Sequence, residues 1–184
     1  MDENISKVFK LEFILLFVLA AYVSYLFHEF GHWTIGEILG NKMVLNLNYT
    51  WPKSGYYIKS GNELYTLMGG PGFSILQAVA GLLIIMKYKN LYVYPFVFFP
   101  MYTRFFSLAV GGFGKQDEAR ISAIIGGGNY TFAVLVVLIL ILLVIKSSFI
   151  LKIDFRKNGY IFVLSTLCQV LVIGTYQLMS ILKL

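Results

Sequence analysis

Only two histidines occur in the 184-residue chain, and they stand four residues apart in His28-Glu29-Phe30-Gly31-His32. On a helix this spacing puts the two rings on nearly one face, offset by about 40°. Their nitrogens can then grip one metal ion, and Glu29 can reach a water beside it. The chemistry open to such a set is hydrolysis: a metal polarises a carbonyl while the glutamate moves a proton. A bare His-Glu-x-x-His string recurs by chance, so its setting matters. Here it follows the apolar run Leu11–Phe27. An acidic residue at mid-bilayer costs about 2.5 kcal/mol or more, so such groups persist where they face a polar cavity or a metal. The competing reading is a polar helix end whose histidines act as hydrogen-bonding anchors.

A zinc site of this catalytic type needs a third protein ligand and keeps one position for water. Asp117 is the first choice and Glu118 the second. Both follow the glycine-rich connector Gly111–Lys115 and open a short helix, where a carboxylate is also favoured by the helix dipole alone. Glu63 is a further candidate. Glu37 stands about 180° around the helix from His28 and reads as a polar residue at the membrane boundary. Arg104 is read as an interfacial snorkelling residue in preference to a partner for a carboxylate near the site. Gln77, Gln169 and Gln177 are expected to make interhelical hydrogen bonds. Cys168, the one cysteine, lies in an apolar run and reads as a packing residue.

The elements that must position these groups are membrane helices. Hydrophobic residues make up 58% of the chain and charged ones 13%, against about 25% charged in a soluble domain. Mean hydropathy is +0.75. The expected fold is therefore an all-α polytopic membrane protein with about five transmembrane helices, forming a single integral membrane domain over residues 1–184. After a polar stretch at 1–10, the first helix covers 11–39 and ends at Gly40-Asn41, a left-handed stop signal. The alternative of a signal peptide cut near Ala20-Ala21 would discard half of the helix that displays the histidines. Residues 42–63 predict a small β-hairpin insertion, with a strand at Met43–Tyr49, a turn at Trp51–Gly55 and a second strand at Tyr56–Ile58. Further membrane segments are expected at 65–87, 91–110, 131–145 and 159–182. Pro71 is read within the first turns of the second, where a missing amide costs little. Pro95 and Pro100 are expected to kink or break the third. A polar linker is expected at 146–157.

The net charge of +6 comes from 15 basic and 9 acidic residues. The excess sits at segment ends and in loops, which suits lipid headgroups and topology and excludes a phosphate-tracking nucleic-acid surface. Five spans would put eight basic residues on the N-terminal side (among them Lys87, Lys89, Lys152 and Arg156) and six on the other, a weak bias towards a cytoplasmic N-terminus.

His28-Glu29-Phe30-Gly31-His32, late in a first membrane helix and followed by an apparent hairpin, resembles the site-2 protease family of intramembrane zinc metalloproteases. In that family a later helix often carries Gly-Pro-x-x-Asn, and Gly70-Pro71-Gly72-Phe73-Ser74 is similar, with Ser74 at the asparagine's place. The resemblance implies a substrate- or oxyanion-contacting role for Gly70, Pro71 and Ser74. It implies an aspartate as third ligand, usually before glycine; Asp117 has the matching order and is followed by Glu118. It covers roughly residues 15–145. The activity implied is zinc-dependent hydrolysis of peptide bonds in membrane-associated polypeptides, with Zn2+ held by His28, His32 and Asp117 and with Glu29 as the base. The site-2 likeness also implies a catalytic end facing the cytoplasm, opposite to the charge bias. Two other readings fit the same residues: a catalytically inactive relative that binds metal or a membrane partner, and a small transporter or channel subunit with His28 and Glu29 along a polar path.

Overall fold

The computed structural model describes residues 8, 10–110, 116–128 and 130–182. The polar start at 1–7 and the glycine connector 111–115 lie outside the described residues. The chain order is α1 (Leu11–Ile38), β1 (Met43–Leu45), β2 (Thr50–Pro52), α2 (Asn62–Tyr88), a 3-10 turn (Leu91–Val93), α3 (Tyr94–Val110), α4 (Asp117–Ile124), α5 (Thr131–Leu151) and α6 (Phe155–Leu182). Five of these segments are long and apolar enough to cross a membrane, with α3 counted together with the 3-10 turn before it. At about 1.5 Å per residue, the 28 residues of α1 exceed the thickness of the hydrocarbon core, about 30 Å. The protein is an integral, multi-pass membrane protein, mostly helical, and among the described residues it has one two-stranded antiparallel sheet, after the first helix.

Several local expectations are corrected. The hairpin turns earlier than its sequence suggests: Met43 pairs with Pro52 and Leu45 with Thr50, so Asn46–Tyr49 forms the turn. Trp51 and Pro52 belong to the second strand, and Tyr56–Ile58 lies outside any strand. Proline is tolerated there because a two-stranded ribbon has only edge strands. In α2 the helix starts at Asn62, which puts Pro71 in its interior instead of its first turns. The third span is unbroken through Pro100, and Pro95 falls in its first turn, where no amide partner is lost. Helix α5 runs on to Leu151, so the expected polar linker shrinks to Lys152–Asp154 before α6 begins. The stop at Gly40 holds: it has φ +84°, and the Gly40 and Asn41 amides bond back to Glu37 and Gly36.

Chain contacts divide the molecule into two compact units. The first comprises residues 1–24, 77–103 and 140–184. Its core is aromatic, with Phe17 against Phe98 and Phe99, and Tyr94 against Phe98. Gln77 donates to Ser24 Oγ (2.7 Å) and to the Phe96 carbonyl (3.0 Å), the interhelical role read from its position. The second unit comprises residues 25–76 and 104–139 and holds the histidine motif. Within it α1 and α2 approach backbone to backbone. A Cβ built on Gly31 would lie 2.4 Å from the Gly69 carbonyl oxygen, and one on Gly69 the same distance from that of Gly31. Only glycine at both positions allows this crossing.

Candidate metal centre

The close crossing of α1 and α2 sets the histidine rings against the backbone of α2. A Cβ on Gly70 would stand 2.3 Å from His32 Nε2 and 2.6 Å from His28 Cε1, so the rings occupy the space a side chain would need. Each ring is fixed from behind. His32 Nδ1 lies 2.8 Å from the Thr66 carbonyl, which can only accept, so Nδ1 donates to it and the ring turns Nε2 toward Asp117. His28 Nδ1 lies 3.0 Å from Ser74 Oγ. Both histidines and Glu29 are buried.

Asp117, the first residue of α4, completes the set. Its Oδ2 is 3.1 Å from His28 Nε2 and 3.2 Å from His32 Nε2, while the two Nε2 atoms are 3.1 Å apart. The three atoms form a nearly equilateral triangle. Donor atoms about 2.0 Å from a tetrahedral ion stand about 3.3 Å from one another, so a point about 2 Å from all three exists just off the plane. The donor set, two imidazole nitrogens and a carboxylate oxygen, is one that zinc accepts. Burial pushes the Asp117 carboxyl up, but the adjacent His32 and His28 rings outweigh it and hold it well below the ordinary carboxylate range. It is therefore an anion at neutral pH. Gln116, just before it, donates to the Ser107 carbonyl of α3 and anchors the start of α4.

The other carboxylates are engaged elsewhere. Glu118 Oε1 accepts from Arg104 Nη1 at 3.3 Å, Glu63 pairs with Arg120, and Glu37 Oε1 accepts from the Met43 amide at 2.7 Å. Arg104 does not snorkel, which corrects the preferred sequence reading. Its side chain is only 12% exposed, with Nη1 3.8 Å from Asp117 Oδ2 and 3.4 Å from His28 Nε2. A guanidinium is stable there because Glu118 and Asp117 both face it.

Glu29 lies within 4.8 Å of both histidine nitrogens by its nearest ligand atom. Its backbone carbonyl accepts from Thr50 Oγ1 at 3.2 Å, which pins β2 to α1 beside the motif. His28, Glu29, His32, Thr50, Arg104 and Asp117 all line one cavity of about 270 Å³. Tyr57 also lines it; burial pushes its hydroxyl pKa up, despite Arg120 nearby, so it remains a donor at neutral pH.

Of the groups singled out in Gly70–Ser74, Gly70 and Ser74 touch the histidines. Gly70 leaves room for both rings, and Ser74 Oγ stands within hydrogen-bond distance of His28 Nδ1. Sequence reasoning missed Gly31, Thr66 and Thr50. Gly31 had a visible signal, since it lies between the two histidines in a membrane helix and small residues mark close helix crossings. The Thr66 carbonyl had none, because any residue supplies one.

Comparison with protein-family models, with curated proteins and with solved structures returned no match.

Proposed function

We propose that this chain is an intramembrane zinc metallopeptidase that hydrolyses peptide bonds of membrane-associated polypeptides, a divergent relative of the site-2 proteases. The observation that carries the reading is the triangle of His28 Nε2, His32 Nε2 and Asp117 Oδ2, with sides of 3.1 to 3.2 Å. Zinc bound there would supply the Lewis acidity that polarises a carbonyl and brings the pKa of water to about 7. His28, His32 and Asp117 would hold it. Glu29, buried at the cavity wall, takes the proton of the attacking water and delivers it to the leaving amine. Arg104 lines the cavity beside Asp117 and is paired by Glu118, which lies outside the lining.

Peptide groups in a membrane helix are already hydrogen-bonded, so substrate must enter as an extended segment. The strand β2 borders the cavity at Thr50 and offers a template for such a segment to pair with. Purified Glu29→Gln protein should retain zinc, and membranes carrying it should lose the polypeptide fragments that the wild type generates, as read by quantitative N-terminal proteomics. Zinc in both proteins with identical fragment sets would replace the enzyme by a metal-binding relative. Absence of stoichiometric zinc in the wild type would favour a transporter or channel subunit.

A further inference from the structure

The first unit contains a second cavity that the hydrolytic chemistry does not use. It is a groove of about 470 Å³ beside the α5–α6 turn, with apolar walls that include Phe98, Val144, Phe149 and Phe162. That volume lies in the ordinary range for small-ligand sites, about 300–1,000 Å³. Two polar side chains, Ser148 and Asn158, interrupt the apolar lining. They are tied to each other (Asn158 Nδ2 to Ser148 Oγ, 3.3 Å) and to the buried Tyr94 hydroxyl, 2.7 Å from Ser148 Oγ and 2.6 Å from Asn158 Oδ1. The amide of Asn158 is thus held in a fixed orientation at the groove wall, with one Nδ2 hydrogen beyond the Ser148 bond. Phe149 and Phe155, 78% and 92% exposed, line the groove as open apolar rings.

The turn itself is basic in a way its backbone does not require. Helix α5 ends in a Schellman motif: the Lys152 amide bonds to Phe149 O (3.3 Å) and the Ile153 amide to Ser148 O (2.9 Å). The left-handed residue of that motif is usually glycine, as Gly40 is at the end of α1. Here it is Lys152, at φ +54°. Lys157 is buried and its charge is met by Asp154 at 2.8 Å. Among the described residues no carboxylate pairs with Lys152 or Arg156, and both are exposed. They flank Ile153 and Phe155, which line the groove.

We propose that this groove binds an anionic glycerophospholipid, with one acyl chain along the apolar wall, an ester group at Asn158, and the phosphate at Lys152 and Arg156. Charge complementarity selects this occupant: a neutral apolar helix would leave the two cations without a partner, and a zwitterionic lipid would bring a quaternary ammonium along with its phosphate, so that its net charge offsets neither. The site is independent of the metal centre and of the peptidase reading.

The test uses delipidated full-length protein in neutral detergent. Binding of palmitoyl-oleoyl phosphatidylglycerol, palmitoyl-oleoyl phosphatidylcholine and glycerol phosphate is measured by native mass spectrometry. Two basic residues facing a headgroup of net negative charge, each worth about fivefold, give phosphatidylglycerol a preference on the order of thirtyfold over the net-neutral phosphatidylcholine. Lys152→Gln with Arg156→Gln should abolish that preference. Lys152→Gly is the sharper variant, because it relieves the backbone while removing the charge. It should stabilise the apoprotein and still weaken phosphatidylglycerol binding about fivefold. A Cβ at Gly159 meets nothing within 4 Å, so Gly159→Leu can fill the groove without a clash and should reduce binding of both lipids. Equal binding of the two lipids by the wild type would overturn the proposal. So would a Lys152→Gly protein with unchanged preference, equal binding of glycerol phosphate alone, or a dimer that Gly159→Leu dissolves.

Discussion

Gly70→Ala isolates the geometry of the proposed metal centre from the rest of the fold. The added Cβ would lie 2.3 Å from His32 Nε2, 2.5 Å from His32 Cε1 and 2.6 Å from His28 Cε1, where ordinary contact begins near 3.4 Å. The rings must therefore retreat by about 1 Å, whereas zinc ligands hold their distances to within about 0.2 Å. Moving α2 away instead would part the Gly31–Gly69 crossing and withdraw Thr66 and Ser74 from the rings they orient. Either route removes both histidine nitrogens from bonding distance, so zinc affinity should fall by more than the roughly hundredfold loss typical of an orienting partner. Overall stability should change less, because the helix gains about 1 kcal/mol from glycine to alanine while local overpacking costs about 1–3 kcal/mol. Gly72→Ala is the control, two residues along the same helix, where a Cβ meets nothing within 4 Å. It should bind zinc as the wild type does and melt at a slightly higher temperature. The assay is zinc stoichiometry and competitive chelator titration of purified protein, alongside thermal unfolding. Zinc binding by Gly70→Ala at wild-type affinity would refute the placement of the rings against α2.

Two further changes probe the partners around the site. Ser74→Ala removes the group at 3.0 Å from His28 Nδ1 and should lower zinc affinity about 10- to 100-fold with little change in folding, read by the same chelator titration. Arg104→Met leaves Glu118, 2% exposed, as a buried carboxylate without its cation and should destabilise the protein by about 3–5 kcal/mol. Adding Glu118→Leu should recover much of that loss in a double-mutant cycle of unfolding midpoints, and additive losses would contradict the pairing.

The parts of this protein that were legible in its sequence are those written in local pattern. Long apolar runs give spans at nearly the expected bounds, and the Gly40 stop ends α1 where its residue type says it should. Paired histidines four apart on a helix could be named as neighbours from spacing alone. The hairpin was displaced because Trp51-Pro52 resembles a turn, while the strand that accepts it is fixed by pairing with Met43–Leu45, which sequence pattern does not encode. Arg104 was misread for a related reason. Its burial depends on Glu118 and Asp117 arriving from α4, beyond residues 111–115, and no local signal announces a long-range ion pair. For Ser74 and Gly70 the resemblance implies contact with substrate, and the structure adds a hydrogen bond and a steric fit to the histidines that no sequence pattern announces. The role of a residue one layer behind a site depends on which helix faces it, and that is a property of packing.

The proposed zinc site comes down to one point in space, about 2 Å from His28 Nε2, His32 Nε2 and Asp117 Oδ2. Zinc K-edge X-ray absorption on the purified wild-type protein tests it. The prediction is one zinc per chain with two imidazole nitrogens and carboxylate oxygen at about 2.0–2.2 Å, and loss of the imidazole signal with the metal itself in His32→Ala. A protein that carries no stoichiometric zinc, or one whose zinc shows no imidazole scattering, would contradict the central claim.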